Sequence, residues 1–524
     1  MRLIVISAAA LALACSSVED RAACATSASC PSGQYCARTS DGSVCWADAV
    51  RPAVSLVTAS CATTPCVRDG VLRVEATVTE DKELATVEAA LDLDSGARKI
   101  AMTAAGGRWV AELPLRDWPF EAYARPVVVS VVARDGARNE GSAEAVPVEV
   151  TRLRWVYDAG VPMSPAAVHE GGLVLVGLSR TTEQLVGLRS DGAKAWSITA
   201  GNAFVTAAPA TSTGNVWFGS WAGVVYSADP VGELRPNSCA TGDAVQSSPA
   251  LVQGSSERLV AGTPAGTLAV ADATGFCSLP SASASVTAPP VVLTNGDVIV
   301  VATSVLESFS VLASGSLRPN WTGVAPAPAK PTVGSLVTAP PAVDALDGIW
   351  TVDAAGKVNY TTAEAVTAQV TTAGANASGP IVLGDGSVVL GDQGAKLRRF
   401  SRGSTPPWAE SSPLEGVPTI PMVVSGPSTH LIVPTSTGRL YAIRESDGSI
   451  AWSVKLSAAG AALQPANIYT PPGQPAGAVM STAYVAGADG KLYAVIVDGE
   501  LDTSAPWPKA FHDPRNTNNA GTQP

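Results

Sequence analysis

The stretch that decides the fold reads Leu440-Tyr441-Ala442-Ile443-Arg444-Glu445-Ser446-Asp447-Gly448-Ser449-Ile450-Ala451-Trp452. It combines a short apolar strand, a turn marked by Asp and Gly, and a second strand that carries a tryptophan. The same order of turn and tryptophan occurs at Gly192 and Trp196, and looser versions occur around Trp321 and Trp408. The chain therefore contains an internal repeat of a strand, a turn and a tryptophan-bearing strand.

A second marker, a proline that usually follows a small residue, recurs eight times after residue 152. It stands at Ser164-Pro165, Ala208-Pro209, Ser248-Pro249, Ala288-Pro289, Ala339-Pro340, Gly379-Pro380, Ile420-Pro421 and Gln464-Pro465. Successive markers are 44, 40, 40, 51, 40, 41 and 44 residues apart, and most precede a turn and an apolar strand. Eight units of three or four strands predict an eight-bladed β-propeller over residues 151–517.

The closure of the ring can also be predicted. Leu153-Arg154-Trp155-Val156-Tyr157-Asp158 has the pattern of a tryptophan-bearing outer strand, yet it precedes the first proline marker. We expect it to complete the eighth blade beside Lys491–Val497, because closure removes exposed sheet edges.

The composition agrees with an all-β protein. Of the 524 residues, 46% are apolar and 15% are charged, against about 25% charged in typical soluble domains. Glycine (48) and proline (39) are frequent, as short strands and turns require. The net charge of −11 and the lack of a basic cluster argue against binding to nucleic acid or anionic lipid through counterion release.

The first residues resemble an export signal. Arg2 precedes the apolar run Leu3–Ala14, which is too short to span a bilayer, and Cys15 follows. Ala12-Leu13-Ala14 before Cys15 resembles the bacterial lipoprotein box, although the same triplet also fits ordinary secretory cleavage. Nine cysteines are an odd number for an exported protein, and a lipidated Cys15 leaves eight for pairing. The sequence thus predicts a signal peptide at 1–14 and membrane attachment through Cys15; Ser16-Ser17 favours, by resemblance, the outer membrane.

A cysteine-rich module is predicted at residues 15–50. Cys24, Cys30, Cys36 and Cys45 lie in a stretch too small to own a core, so disulfides are expected to hold it. Four cysteines allow three connectivities. Resemblance to small secreted knot-like modules implies that Cys24 pairs with Cys36 and Cys30 with Cys45. A zinc site is the alternative, but the spacing fits no standard zinc pattern.

Two more disulfides are expected further along the chain. Cys61 and Cys66 can close a short loop around Pro65, and the remaining Cys239 and Cys277 are predicted by the count to pair.

Residues 51–150 read as about seven short strands with alternating apolar residues, which predicts a β-sandwich. Gly107-Arg108-Trp109-Val110-Ala111 and Val131–Asn139 resemble bacterial immunoglobulin-like domains. Asp135 with Asn139 could hold calcium, but an Asx turn explains both residues without a metal, and no metal site is predicted.

The repeats resemble the tryptophan-docking units of pyrroloquinoline-quinone-type propellers over about residues 152–517, with Arg444 where that family usually has Asp. The segment Ala505–Thr517 also resembles one found beside such propellers, and residues 518–524 are expected to form a tail. The resemblance implies a structural role between blades for five tryptophans: Trp155, Trp196, Trp321, Trp408 and Trp452.

Enzymes of that family hold the quinone with calcium, a catalytic Asp and a disulfide between adjacent cysteines. This chain has no adjacent cysteine pair, and its histidines, His169, His430 and His512, share no repeat position. No catalytic residue, metal or cofactor is therefore predicted.

Two classes of function remain. The preferred one is a monomeric, non-catalytic lipoprotein of the bacterial cell envelope, at the outer membrane, that binds an as yet unknown protein partner as a scaffold. It is similar in plan to the propeller lipoproteins of outer-membrane β-barrel assembly, although the extra N-terminal modules depart from that plan. The alternative is a quinoprotein-like dehydrogenase with divergent cofactor ligands.

Overall fold

The computed structural model describes residues 21–524 apart from 81, 92–97, 118–123, 146, 255, 323–326, 363–364, 372–373, 403–404 and 476–477. The predicted signal peptide and Cys15 lie outside the described residues. The described residues form 45 strands and three 3₁₀ turns, at Ser27–Ser29, Leu115–Asp117 and Glu170–Gly172. The all-β prediction is confirmed. Among the described residues no helix is long and apolar enough to cross a membrane. The chain divides into two compact units on either side of Thr151.

The first unit begins with the cysteine-rich module. Its hairpin consists of β1 (Gln34–Thr39) and β2 (Gly42–Ala47), which pair in antiparallel register. Cys24 is bonded to Cys36 and Cys30 to Cys45, the crossed pairing that the resemblance implies. All four sulfur atoms are therefore used in disulfides, and the alternative of a zinc site on these cysteines is wrong.

Eleven strands follow in the first unit, where the sequence predicts seven. They are β3 (Ala53–Ser60), β4 (Cys66–Val67), β5 (Val71–Thr79), β6 (Leu84–Leu91), β7 (Arg98–Ala101), β8 (Thr103–Ala105), β9 (Arg108–Pro114), β10 (Ala124–Val127), β11 (Val129–Asp135), β12 (Glu140–Glu144) and β13 (Val148–Thr151). Two four-stranded sheets, β3-β5-β9-β8 and β12-β11-β6-β7, contact each other mainly where β3 meets β11 and β12. The same unit also contains a three-stranded sheet with the strand order β10-β13-β4.

The alternation of side chains explains the two main sheets. Leu72, Val74 and Ala76 of β5 are buried, while Arg73 between them is exposed and pairs with Glu75 and Glu112. Strand β12 was missed by the sequence analysis because its residues, Glu-Gly-Ser-Ala-Glu, carry no apolar alternation. It is held instead by backbone pairing with β11.

The second unit is built from the remaining strands. They are β14 (Leu153–Asp158), β15 (Ala167–His169), β16 (Leu173–Gly177), β17 (Leu185–Leu188), β18 (Lys194–Ile198), β19 (Ala210–Thr211), β20 (Val216–Ser220), β21 (Val224–Ala228), β22 (Leu234–Ala240), β23 (Ala250–Val252), β24 (Arg258–Gly262), β25 (Leu268–Ala271), β26 (Cys277–Ser278), β27 (Val291–Val292), β28 (Val298–Ala302), β29 (Val305–Val311), β30 (Leu317–Pro319), β31 (Ala342–Val343), β32 (Ile349–Val352), β33 (Lys357–Thr361), β34 (Val366–Thr371), β35 (Ile381–Val382), β36 (Val388–Gly391), β37 (Leu397–Phe400), β38 (Met422–Ser425), β39 (His430–Pro434), β40 (Arg439–Arg444), β41 (Ile450–Lys455), β42 (Asn467–Tyr469), β43 (Met480–Ala486), β44 (Lys491–Asp498) and β45 (Glu500–Leu501).

These strands form eight antiparallel sheets, which we number as blades 1 to 8. Blades 1 to 5 take four consecutive strands each, from β15–β18 to β31–β34, and blade 6 takes β35–β37. Blade 7 contains β38–β41 and gains β45 beside β38. Blade 8 contains β42–β44 together with β14, which pairs antiparallel with β44 from Leu153 opposite Val495 to Asp158 opposite Lys491. The predicted closing strand is therefore confirmed.

Hydrophobic cores lie between consecutive blades and connect them into a ring. Their members include Tyr484 and Val174 between blades 8 and 1, Leu175 and Phe218 between 1 and 2, Val225 and Leu259 between 2 and 3, Val260 and Val300 between 3 and 4, Val301 and Trp350 between 4 and 5, Tyr360 and Leu390 between 5 and 6, Val389 and Leu431 between 6 and 7, and Ile432 and Val485 between 7 and 8. The propeller predicted from the repeats is confirmed by this arrangement.

The closing strand gives a direct test of the ring. A chain that starts at residue 151 keeps β14, whereas one that starts at residue 159 leaves the edge of β44 unpaired. We expect the shorter chain to melt about 5–10 °C lower in a thermal scan followed by circular dichroism. Equal melting temperatures for the two truncations would contradict a closing role for β14.

Candidate functional site

The C-terminal segment occupies the axis of the propeller. We call residues 505–522 the axial segment. Most of its side chains are fully buried, among them Trp507, Asp513, Asn516 and Asn518. The sequence assigned residues 518–524 to a separate tail, but Asn518, Asn519 and Thr522 are buried with the rest, so the propeller body extends at least to Thr522.

The axial segment pairs with the innermost strands of six blades through its backbone. Amide groups of these strands donate to its carbonyl oxygens: Val382 to Trp507 (3.0 Å), Val423 to Pro508 (2.8 Å), Val168 to Pro514 (2.7 Å), Thr211 to Arg515 (2.9 Å), Leu251 to Thr517 (2.9 Å) and Val292 to Asn518 (2.8 Å). Each donor follows one of the proline markers by two or three residues. The markers therefore place the start of each innermost strand at the axis.

Asparagine side chains add a second set of axial contacts. Asn516 Nδ2 donates to the carbonyl oxygens of Ala166 (2.9 Å) and Pro209 (3.1 Å). Asn518 Nδ2 donates to the carbonyl oxygen of Pro249 at 3.0 Å. In blade 8, Asn467 Nδ2 donates to the carbonyl oxygen of Ala166 at 2.7 Å and to that of Pro514 at 2.8 Å. Amide side chains thus satisfy carbonyl groups that the sheets leave unpaired.

A buried charged network lies within the axial segment. Lys509 Nζ donates to the carbonyl oxygens of Ala510 (2.6 Å) and Asp513 (2.9 Å) and to Asn516 Oδ1 (2.9 Å). Burial lowers the pKa of Lys509 to about 7, and the Asp513 carboxylate opposes that shift. These three hydrogen bonds use all three donors of the ammonium group. They hold the backbone of Ala510 and Asp513 and the side chain of Asn516 around Lys509.

Asp513 anchors the other end of the network. Its Oδ2 accepts hydrogen bonds from the hydroxyl groups of Thr517 (2.6 Å) and Thr522 (2.8 Å). Burial acts to raise the pKa of Asp513, but His512, Arg515 and Thr517 outweigh it and hold that pKa well below its usual range. The ionised carboxylate is therefore the favoured form.

The axial segment follows an unusual backbone path. Phe511, His512, Asn516 and Asn518 all have positive φ angles, between 51° and 75°. Side chains other than glycine rarely adopt this left-handed region, and they persist there only when the surroundings enforce it. Here the enforcing contacts are the axial hydrogen bonds described above.

Two open pockets lie on either side of Arg515. The larger, of about 350 Å³, is lined by His169, Tyr469, Glu500 and Arg515 among others. Burial lowers the pKa of His169, whose Nδ1 lies 2.8 Å from Thr211 Oγ1. The neutral imidazole beside a guanidinium and carboxylates can bind a small polar group by hydrogen bonds.

The second pocket, of about 310 Å³, is polar and is lined by Ser212, Asn215, Glu257 and Arg515 among others. Glu257 Oε1 accepts hydrogen bonds from Ser212 Oγ (2.9 Å), Asn215 Nδ2 (3.2 Å) and Trp217 Nε1 (3.1 Å). The carboxylate is thus fixed by neighbouring donors, and its place in the pocket is structural.

Three of the five predicted tryptophans reach across to the next blade. The indole Nε1 of Trp155 donates to the carbonyl oxygen of Ser190 (2.8 Å), that of Trp196 to Pro230 (3.0 Å) and that of Trp408 to Glu445 (2.7 Å). Each acceptor lies in the turn before the outermost strand of the following blade. The rings cover glycines of those turns. A Cβ atom at Gly192 or Gly232 would collide with the indole, and one at Gly448 would lie 3.0 Å from it.

The other two tryptophans are core residues between blades. Trp452 lies in the core shared by blades 7 and 8, with the guanidinium of Arg152 5.0 Å from its ring centre. Trp321 lies in the core around blades 4 and 5 with Val333 and Trp350. The structure therefore places all five in the interior or at blade junctions.

The two remaining disulfides lie in different units of the chain, one in the propeller and one in the first unit. Cys239 of β22 is bonded to Cys277 of β26, which joins the outermost strands of blades 2 and 3. Cys61 is bonded to Cys66 and closes the loop between β3 and β4. Both pairings are those expected from spacing and count.

The Asp135 carboxylate closes the turn that ends β11, but it accepts from Asn139, four residues on, and not from the residue two places on as in the predicted Asx turn. The backbone amide of Asn139 donates to Asp135 Oδ1, and Asn139 Nδ2 donates to Asp135 Oδ2, both at 2.8 Å. Asn139 Nδ2 also donates to the carbonyl oxygens of Asp48 and Val50. These two residues belong to the segment that connects the cysteine-rich module to β3.

No protein-family profile matches the chain, and no curated protein sequence matches it. Solved structures similar in fold include the computationally designed Ika8 protein, at 14% identity over 65% of this chain and 98% of that one, with a TM-score of 0.47. BamB from Moraxella catarrhalis matches at 14% identity over 65% of this chain and 96% of its own, with a TM-score of 0.44. Virginiamycin B lyase from Staphylococcus aureus matches at 12% identity over 66% and 99%, with a TM-score of 0.42.

The tryptophan contacts predict unequal effects of two matched substitutions. Trp408→Ala removes a buried ring and its hydrogen bond to the next blade, so we expect it to cost about 3–5 kcal/mol of unfolding free energy. Trp221→Ala removes a ring that is 47% exposed and should cost less than about 1 kcal/mol. Urea denaturation measures both values, and equal costs would contradict the docking role of Trp408.

Proposed function

We propose that this protein is an exported lipoprotein, anchored through Cys15, that acts as a non-catalytic scaffold for a protein partner at the bacterial cell envelope. The proposal combines the signal-like N-terminus with the propeller architecture, and it places recognition on the loops of the propeller.

The axial segment is the observation that carries the non-catalytic part of the proposal. Residues such as Trp507, Lys509 and Asn516 are fully buried on the axis and bonded to the surrounding blades. A ligand centred on that axis would have to displace this segment together with its backbone pairing. Surface recognition needs no such rearrangement.

A rigid aromatic pair supports recognition on one face. Trp221, in the loop between β20 and β21, is 47% exposed, and Phe204, before β19, is 40% exposed. The Trp221 amide donates to the Phe204 carbonyl oxygen at 3.0 Å, and Trp221 Nε1 donates to Thr206 Oγ1 at 2.7 Å. Exposed aromatic residues that are already ordered lose little entropy on binding and are enriched in protein interfaces.

Site-specific photo-crosslinking in the producing cells tests the proposal. Benzoyl-phenylalanine in place of Phe204 should crosslink a discrete protein. The same residue in place of Val231, which is 71% exposed in the turn between β21 and β22 on the opposite face, should not.

The alternative is tested on the purified protein. Incubation with pyrroloquinoline quinone and calcium should give no bound quinone absorbance and no dye reduction with alcohols or sugars. Quinone-dependent turnover would overturn the non-catalytic assignment in favour of a divergent dehydrogenase.

The lipid anchor has its own test. Metabolic labelling with an alkyne fatty acid should mark the wild-type protein and should not mark Cys15→Ser, because only a thiol at this position can receive the lipid. Equal labelling of both proteins, or a wild-type product with an unmodified Cys15, would contradict the anchor.

A further inference from the structure

Three carboxylates from separate segments of the first unit converge on one point. Asp48 belongs to the connection between β2 and β3, Glu80 directly follows β5, and Asp135 ends β11. One carboxylate oxygen from each lies within 4.8 Å of the other two. Residues distant in sequence have therefore been brought together by the fold.

Two of the three carboxylates, those of Asp48 and Asp135, are buried away from water. Asp48 and Asp135 are 7% and 1% exposed. Their hydrogen bonds in the described residues come from the Val50 amide and from Asn139, not from a lysine or arginine. Removing ionised carboxylates from water without a counter-charge costs several kcal/mol per ion, so a cation would stabilise this arrangement.

Asp48 supplies an independent indication of a missing ligand. Its Oδ1 accepts a hydrogen bond from the Val50 amide at 2.9 Å, whereas its buried Oδ2 has no hydrogen-bond partner. A buried carboxylate oxygen without a partner is rare in folded proteins and calls for an unseen ion or water.

The hydrogen bonds of Asp135 leave room for a ligand. Asn139 contributes one donor to each of its oxygens, but an ionised carboxylate has about four acceptor positions. The bonds from Asn139 explain the shape of the turn without using the whole carboxylate. They also hold the Asp135 side chain in a fixed orientation.

The donor set selects the kind of cation. Three carboxylate oxygens with these separations fit around one ion at the Ca–O distance of about 2.3–2.6 Å. Zinc prefers nitrogen and sulfur ligands, and magnesium demands near-ideal octahedral geometry. Calcium accepts irregular oxygen sites and completes its shell with carbonyl groups and water.

We propose that Asp48, Glu80 and Asp135 bind one calcium ion, which ties the connection after the cysteine-rich module to the ends of β5 and β11. The existing contacts place the module on the same turn: the Gly33 amide donates to the Ala137 carbonyl oxygen at 2.9 Å. The ion adds a crosslink where these segments meet and offsets the negative charge of the buried Asp48 and Asp135 carboxylates.

Calcium titration of the whole protein tests the site. After treatment with EDTA and desalting, the wild type should bind one equivalent of calcium with a dissociation constant of about 10⁻⁴–10⁻³ M in isothermal calorimetry. Asp48→Asn should weaken binding at least tenfold, because it removes one negative ligand while its Oδ1 can still accept from Val50. Asp41→Asn, an exposed aspartate in the turn between β1 and β2, is the matched control and should bind as the wild type does.

Thermal melting separates loss of the ion from loss of the fold. In EDTA, Asp48→Asn should melt at or above the wild-type temperature, because it relieves repulsion. Calcium should raise the melting temperature of the first unit in the wild type and in Asp41→Asn, and leave Asp48→Asn unchanged. The proposal is overturned by the absence of calcium binding, by wild-type binding in Asp48→Asn, or by an equal response to magnesium.

Discussion

The pairing of backbone amides with the axial segment is the interaction on which the propeller depends. The innermost strand of a blade has one edge that no other strand of the blade covers. Where this edge is shielded from water at the axis, its backbone amide and carbonyl groups need hydrogen-bond partners. Residues such as Val168, Leu251 and Val292 donate their amides to successive carbonyl groups of the axial segment. One stretch of chain thus contacts the innermost strands of six of the eight blades.

A second set of contacts works at the outside of the ring. There, tryptophans such as Trp155 and Trp408 bridge from one blade to the turn of the next, and the glycines beneath them provide the necessary space. The disulfide between Cys239 and Cys277 is a covalent version of the same contact. Six blades are therefore held near the axis by backbone pairing, and the tryptophans and the disulfide bridge four blade junctions at the rim. An apolar core lies between neighbouring blades.

The regular parts of the fold could be predicted because they repeat. Proline markers, alternating strands and the position of Trp155 before the first marker predicted the propeller and its closing strand. The course of the axial segment could not be predicted, since its backbone hydrogen bonds carry no residue signature, and the contacts of Asn516 and Asn518 depend on where the blades place their carbonyl groups. Likewise, Asp135 was recognised as a turn residue, but its approach to Asp48 depends on how the connection after β2 folds back. Sequence periodicity indicates elements, whereas sites formed between elements require the coordinates.

The closing strand and the axial segment also set the order in which the propeller can fold. Strand β14 is synthesised before the strands of blade 1, yet its partner β44 belongs to blade 8. The buried Thr522 of the axial segment is synthesised later still. During synthesis the early blades therefore wait, with β14 unpaired, until nearly the whole chain has left the ribosome. Contacts of such long sequence separation slow folding, because the entropy of a large loop is lost before they form. A ring whose closing partner is synthesised last therefore stays open until that strand is available.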